Sequence, residues 1–107
     1  MSRLELQELA NERFGDLVKA AIDIKQGIIA LGSELHADAE AELIEKEGSM
    51  REDIWGINLY PAEKGEAFLE YDSMINLKPA SGNRTRGVDD ETTRTKIQLL
   101  VERMVEN

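Results

Sequence analysis

The period of the apolar residues changes several times along this chain, and each change marks an element. Leu6, Leu9, Ala10 and Phe14 recur at helical intervals behind Ser2-Arg3-Leu4-Glu5, which has the spacing of a capping box, and Gly15 is a fitting stop. A first helix is expected over 3–14. Val18, Ala20, Ile22 and Ile24 then alternate with Lys19, Ala21 and Asp23, the period of two of a half-buried strand. Lys25-Gln26-Gly27 separates this run from Ile28-Ile29-Ala30-Leu31. Three loop residues ending in Gly suit a hairpin in which Gly27 takes positive φ.

Residues 34–46 fit two periods. Leu35, Ala39 and Leu43 fall on one helical face with Ile44 beside them, yet Glu34, His36, Asp38, Glu40 and Glu42 alternate with Leu35, Ala37, Ala39, Ala41 and Leu43 as in a strand. Alanine stabilises helices and packs poorly in sheets, so a helix from near His36 to before Gly48 is expected. Ile54 to Tyr60 reads as a third strand ended by Pro61, and 62–66 as a polar loop. Phe68 to Lys78 reads as a fourth strand. It places Leu69, Tyr71, Ile75 and Leu77 on one face and Glu70, Asp72, Met74, Asn76 and Lys78 on the other. After a loop over 80–88, Asp89 or Asp90 caps a last helix with the stripe Ile97, Leu100, Val101, Met104, Val105. The order α-β-β-α-β-β-α predicts one α+β domain over 1–107. Its expected form is a four-stranded, mainly antiparallel sheet from two hairpins, with the helices packed on one face.

Charge and composition narrow what such a domain does. Twenty-two acids against 13 bases give a net charge of −9, which opposes a phosphate backbone and argues against nucleic-acid binding. Residues 34–53 hold eight acids and two bases, whereas 78–86 hold three bases and no acid, so an acidic chain still carries one local basic site. No apolar run approaches the roughly 18 residues of a membrane span, and acids enter the N-terminus early, against a secretory signal. With no cysteine, disulfides and thiolate metal sites are excluded. A cytoplasmic protein is expected, and the glycosylation pattern Asn83-Arg84-Thr85 is then incidental.

Three runs carry a resemblance: Glu34-Leu35-His36-Ala37-Asp38-Ala39-Glu40, Trp55-Gly56-Ile57-Asn58-Leu59-Tyr60-Pro61, and Ile75-Asn76-Leu77-Lys78-Pro79 with Gly82-Asn83-Arg84. Together they resemble a family of short prokaryotic proteins known only as a domain of unknown function. The resemblance covers about 17–106 and leaves 1–16 as a helical extension. It implies a prokaryotic, cytoplasmic, stand-alone domain and transfers no catalytic residue.

Candidate chemistry concentrates in three places. His36, the sole histidine, stands four residues from Glu40, a spacing at which two side chains on a helix meet one ion; in an extended chain Glu34, His36 and Asp38 would share a face. One His among carboxylates suits magnesium or manganese better than structural zinc. The plainer account is acids complementing a helix N-terminus beside one paired His. The loop Ser81-Gly82-Asn83-Arg84-Thr85-Arg86-Gly87 gathers backbone donors, hydroxyls and the forks of Arg84 and Arg86, all suited to an anion, although Asp89, Asp90 and Glu91 follow and would repel it. Solvated arginines facing the acidic segment are the alternative. Third, Asn58, Tyr60, Asn76, Lys78 and Met74 would cluster if the third and fourth strands pair, and Asn is a poor strand former unless it bonds a ligand or loop backbone.

The leading expectation is a non-enzymatic binding or interaction domain. It would use the sheet face and the Arg84/Arg86 loop, with no cofactor and with a small anionic ligand or a protein as partner. A metal-dependent enzyme centred on Glu34, His36, Asp38 and Glu40 is one alternative, and an acidic docking domain for a basic protein is another. A chain of 107 residues buries a modest fraction of its surface, so a homodimer would add useful burial.

Overall fold

Helix α1 (Arg3–Arg13) begins on the expected capping box: the Ser2 hydroxyl accepts from the Glu5 N–H, and the Glu5 carboxylate accepts from the Ser2 N–H. The computed structural model describes residues 1–105, so the last position of the 17–106 stretch lies outside them. Strands β1 (Val18–Asp23) and β2 (Ile28–Leu31) form the first hairpin, with Gly27 at φ +70°. The buried Asp23 carboxylate braces the turn by accepting from the Lys25 and Gln26 N–H groups and the Ser49 hydroxyl. Burial alone would raise its pKa, but the bonds from Ser49, Gln26 and Lys25 outweigh this and hold it below the ordinary aspartate value.

Residues 36–47 are helical. Helix α2 (His36–Glu47) starts after Leu35, which is extended at the N-cap, and ends on Gly48 in the left-handed region at φ +67°. Since the helical phase begins at His36, the buried face is His36, Ala39, Glu40 and Leu43, and Leu35 points outward. Strands β3 (Ile54–Leu59) and β4 (Leu69–Glu70) pair antiparallel, completing a sheet of order β2-β1-β3-β4. Helix α3 (Glu91–Met104) is capped by Asp90, whose carboxylate accepts from the Thr93 N–H. The α+β class and the four-stranded antiparallel sheet are as expected.

The helices divide between the two faces of the sheet rather than stacking on one. Val18, Ala20 and Ile22 of β1 and Trp55, Ile57 and Leu59 of β3 share one core with Leu6 and Ala10 of α1 and Ile97 and Val101 of α3. On the opposite face Ala21, Ala30 and Ile54 pack with Ala39 and Leu43 of α2. The physical reason lies in the second set of strand positions: small and apolar residues there leave a face that water would solvate poorly, so it too needs a cover.

The fourth strand is much shorter than the expected 68–78 span. After Glu70 the chain leaves the ladder and makes two 3₁₀ turns, Met74–Asn76 and Pro79–Ser81. Gly56 explains the departure. A Cβ there would lie 2.5 Å from Cβ and Oγ of Ser73, so the chain descends onto the bare glycine. Asn76 follows it in. Its Oδ1 accepts the Gly56 N–H at 2.7 Å and its Nδ2 donates to the Gly56 carbonyl at 3.0 Å, so a side-chain amide does what a strand backbone would have done. Among the described residues no helix is long and apolar enough to cross a membrane.

Candidate functional site

His36 and Asn58 come together under the first turn of α2. The His36 Nε2 donates to the Ile57 carbonyl at 2.9 Å, which leaves Nδ1 as the acceptor in the neutral ring. Burial lowers the His36 pKa and the nearby Lys19 adds to this; the Ile57 carbonyl, Asn58 and Asp72 oppose it. Asn58 Nδ2 donates to Glu70 Oε1 at 2.9 Å and to the Asp72 carbonyl at 3.3 Å, while its buried Oδ1 has no hydrogen-bond partner among the described residues. Tyr60 donates to the same Glu70 oxygen at 3.0 Å. Arg86 reaches this cluster by pairing with Asp72 at 2.8 Å.

The other metal candidates go elsewhere. Glu40 turns toward Arg51 at 3.7 Å, and Glu34 and Asp38 are exposed. No group of three or more His, Cys, Asp or Glu among the described residues is arranged to hold a metal ion. Lys78 lies apart as well. Its Nζ donates to the Ile75 carbonyl at 2.9 Å and sits 5.0 Å from the Trp55 ring centroid, and burial lowers its pKa. Met74 is exposed on its 3₁₀ turn.

Asn76 and Asn83 are engaged with backbone. Besides clasping Gly56, Asn76 Nδ2 donates to the Arg86 carbonyl at 2.8 Å, and Asn83 Nδ2 donates to the carbonyls of Asn76, Thr85 and Gly87. The basic loop carries its own anion. Asp89 accepts from the Arg84 N–H and the Thr85 hydroxyl, so an external anion would have to displace it. Arg84 itself is exposed.

A second place is built from residues that the linear pattern does not single out. Between α3 and the β3–β4 connection lies an open groove of about 650 Å3. Phe68, Leu69, Tyr71, Val101 and Val105 form its apolar floor. Arg3 flanks it, its guanidinium 4.3 Å from the Phe68 centroid and bonded to the Pro61 and Glu63 carbonyls. On the far wall Arg94 donates to the Val88 and Asp89 carbonyls, and the Tyr71 hydroxyl donates to the Arg94 carbonyl at 3.2 Å. Glu66, Glu91 and Glu102 complete the rim. The apolar stripe of α3 and the Leu69/Tyr71 alternation are visible in the sequence as core. The groove is the part of that core left unfilled where a two-residue strand meets a longer helix, and no sequence period encodes it.

Fold and groove define a small α+β domain with an open cleft, apolar in its floor and charged at its rim, beside its shorter sheet edge. The chain belongs to the family described as protein of unknown function DUF5674, whose model matches residues 1–104 and so takes in α1, with its fully buried Leu6 and Ala10. No curated protein and no solved structure matches it.

Proposed function

We propose that this chain is a small binding domain and that it holds a small amphipathic molecule in the groove between α3 and the β3–β4 connection. The groove itself carries the reading: at about 650 Å3 it falls within the roughly 300–1,000 Å3 typical of small-molecule sites. Its floor suits an apolar body, and the Arg94 end, with Glu91 beside it, suits a polar head. The basic loop contributes indirectly, because its Val88 and Asp89 carbonyls hold the Arg94 guanidinium. Catalysis would need acid–base or nucleophilic groups converging on the cavity. The groups with displaced pKa values other than Tyr71, namely His36, Lys78, Asp23, Tyr60, Glu5 and Asp90, lie outside the lining and are bonded internally. Tyr71 does line it, with its hydroxyl engaged by Arg94.

The uncharged solvatochromic dye Nile red tests the reading. Saturable, blue-shifted emission is expected with the folded protein, and Gln98→Trp, which puts an indole into the groove, should abolish it. Leu99→Ala alters an exposed side chain of α3 outside the lining and should leave binding unchanged. Equal dye binding by the Gln98→Trp protein would end the proposal.

A further inference from the structure

The other edge of the sheet offers an interaction surface. β2 is the outer strand of the order β2-β1-β3-β4, so among the described residues one side of its backbone has no neighbouring strand. The Gly32 N–H donates to the Lys19 carbonyl, and Ala21 stands opposite Ala30. Backbone direction alternates along a strand, so Ala30 and Ile28 bond inward to β1 while the N–H and C=O groups of Ile29 and Leu31 point outward. Edge strands are ordinarily blunted by a charge, a proline or a bulge. Ile28-Ile29-Ala30-Leu31 contains no charge and no proline, and its register with β1 runs without interruption. A recess of about 350 Å3 follows this edge, walled by Glu42, Leu43 and Lys46 of α2 on one side and Met104 of α3 on the other.

We propose that this edge is a homodimer interface, in which β2 of two copies pair antiparallel about a two-fold axis at Ala30 and join the two sheets into one. The strand is self-complementary in that register. Ile29 of each copy faces Leu31 of the other, and because both point outward these pairs exchange four hydrogen bonds. Ala30 faces its own copy as the non-hydrogen-bonded pair, where Cα atoms approach to about 4.5 Å and a methyl group fits. The helices permit it. Three strand spacings of about 4.8 Å set the two β1 strands roughly 14 Å apart, beyond the 8–10 Å of packed helices, so two α2 helices lying over them do not collide. The rim carries Glu42 and Glu47 with Lys46, which pairs with Glu42 on its own helix and so lessens the like-charge repulsion that two acidic rims would bring to the junction. Assembly ends at two copies, since the far edge offers only the two residues of β4 and the Gly56 position is closed by Asn76.

Sedimentation equilibrium and amide hydrogen exchange on the full chain test this. The expected species has twice the 12.0 kDa chain mass. The Ile29 and Leu31 amides should become protected as concentration rises, while the Ala30 amide, bonded within the hairpin, is protected throughout. Ile29→Pro removes an outward N–H without touching the β1 ladder, and losing two of the four intersubunit bonds should weaken the dimer roughly thirtyfold. Lys46→Glu, an exposed change that makes the rim wholly acidic, should also weaken it, at only a small loss of the monomer's thermal stability from the broken Glu42 pair. A chain that stays monomeric at NMR concentrations would overturn the proposal. So would a dimer whose Ile29 and Leu31 amides exchange as fast as in the monomer.

Discussion

Replacing Asn76 by alanine is the most incisive perturbation of this fold. The side chain is wholly buried and makes three hydrogen bonds: it accepts the Gly56 N–H and donates to the Gly56 and Arg86 carbonyls. The Arg86 carbonyl keeps a second donor, the Ser73 N–H at 2.9 Å. The Gly56 N–H and carbonyl both lose the Asn76 amide that bonds them. Each buried polar group left unsatisfied costs about 1–3 kcal/mol, so Asn76→Ala should destabilise by about 2–6 kcal/mol. That is a large share of the roughly 5–15 kcal/mol available to a domain of this kind. Urea unfolding followed by the fluorescence of Trp55, adjacent to Gly56 and the only tryptophan, measures it directly. A loss below about 1 kcal/mol with an unchanged denaturant slope would refute the reasoning, since one hydrogen bond alone is worth that much. Asn76→Asp separates the acceptor from the donor. It can still take the Gly56 N–H but sets a carboxylate oxygen against two carbonyls, so its folded pKa rises above the unfolded value of about 3.9. Its stability is therefore greatest below that value and falls as pH rises through the folded pKa; a penalty independent of pH would count against the geometry.

Gly56→Ala should cost about 1–3 kcal/mol or more through overpacking on Ser73, and Ser73→Gly in the same chain should recover part of it in the same urea assay. For His36, burial holds the folded pKa below the ordinary imidazole value of 6.5. Stability from the neutral ring is thus complete above that value and declines as pH falls through the window down to the folded pKa. An NMR titration of the ring should show a midpoint below 6.5, and a midpoint at or above it would contradict the buried placement.

Much of this architecture is legible in the residues. The Gly27 turn between two apolar runs, the capping box at Ser2 and Glu5, and the stripe of α3 are local signals, and local signals survive folding. Alanine likewise settles α2. The strand expected over 68–78 fails for a non-local reason: alternation reports which residues prefer to be buried, and it is blind to a carboxamide that replaces a backbone partner twenty residues away. The division of helices between two faces had a readable sign in Ala21, Ala30 and Ile54, apolar positions that alternate with Ala20 and Ile22, with Ile29 and Leu31, and with Trp55 on their own strands. Of the candidate residues, His36, Asn58, Tyr60 and Arg86 do gather in one place. Asn76 and Asn83 stand out in sequence because asparagine is awkward in strands, and the structure assigns that awkwardness to holding a loop.

The Asn76 clasp also makes the two borders of the sheet different in kind. Backbone pairing is nearly indifferent to which side chains a newcomer carries, so the β2 border places few demands on sequence. The border at Gly56 is closed by a side chain that must offer both a donor and an acceptor at that reach, which at neutral pH a carboxamide does. One side of the molecule is thus generic and the other keyed. Within a segment that looks like an ordinary surface loop, tolerance to substitution should be lowest at Asn76 and restricted at Ser73 and Asn83, while the exposed Met74 and Leu77 between them vary freely.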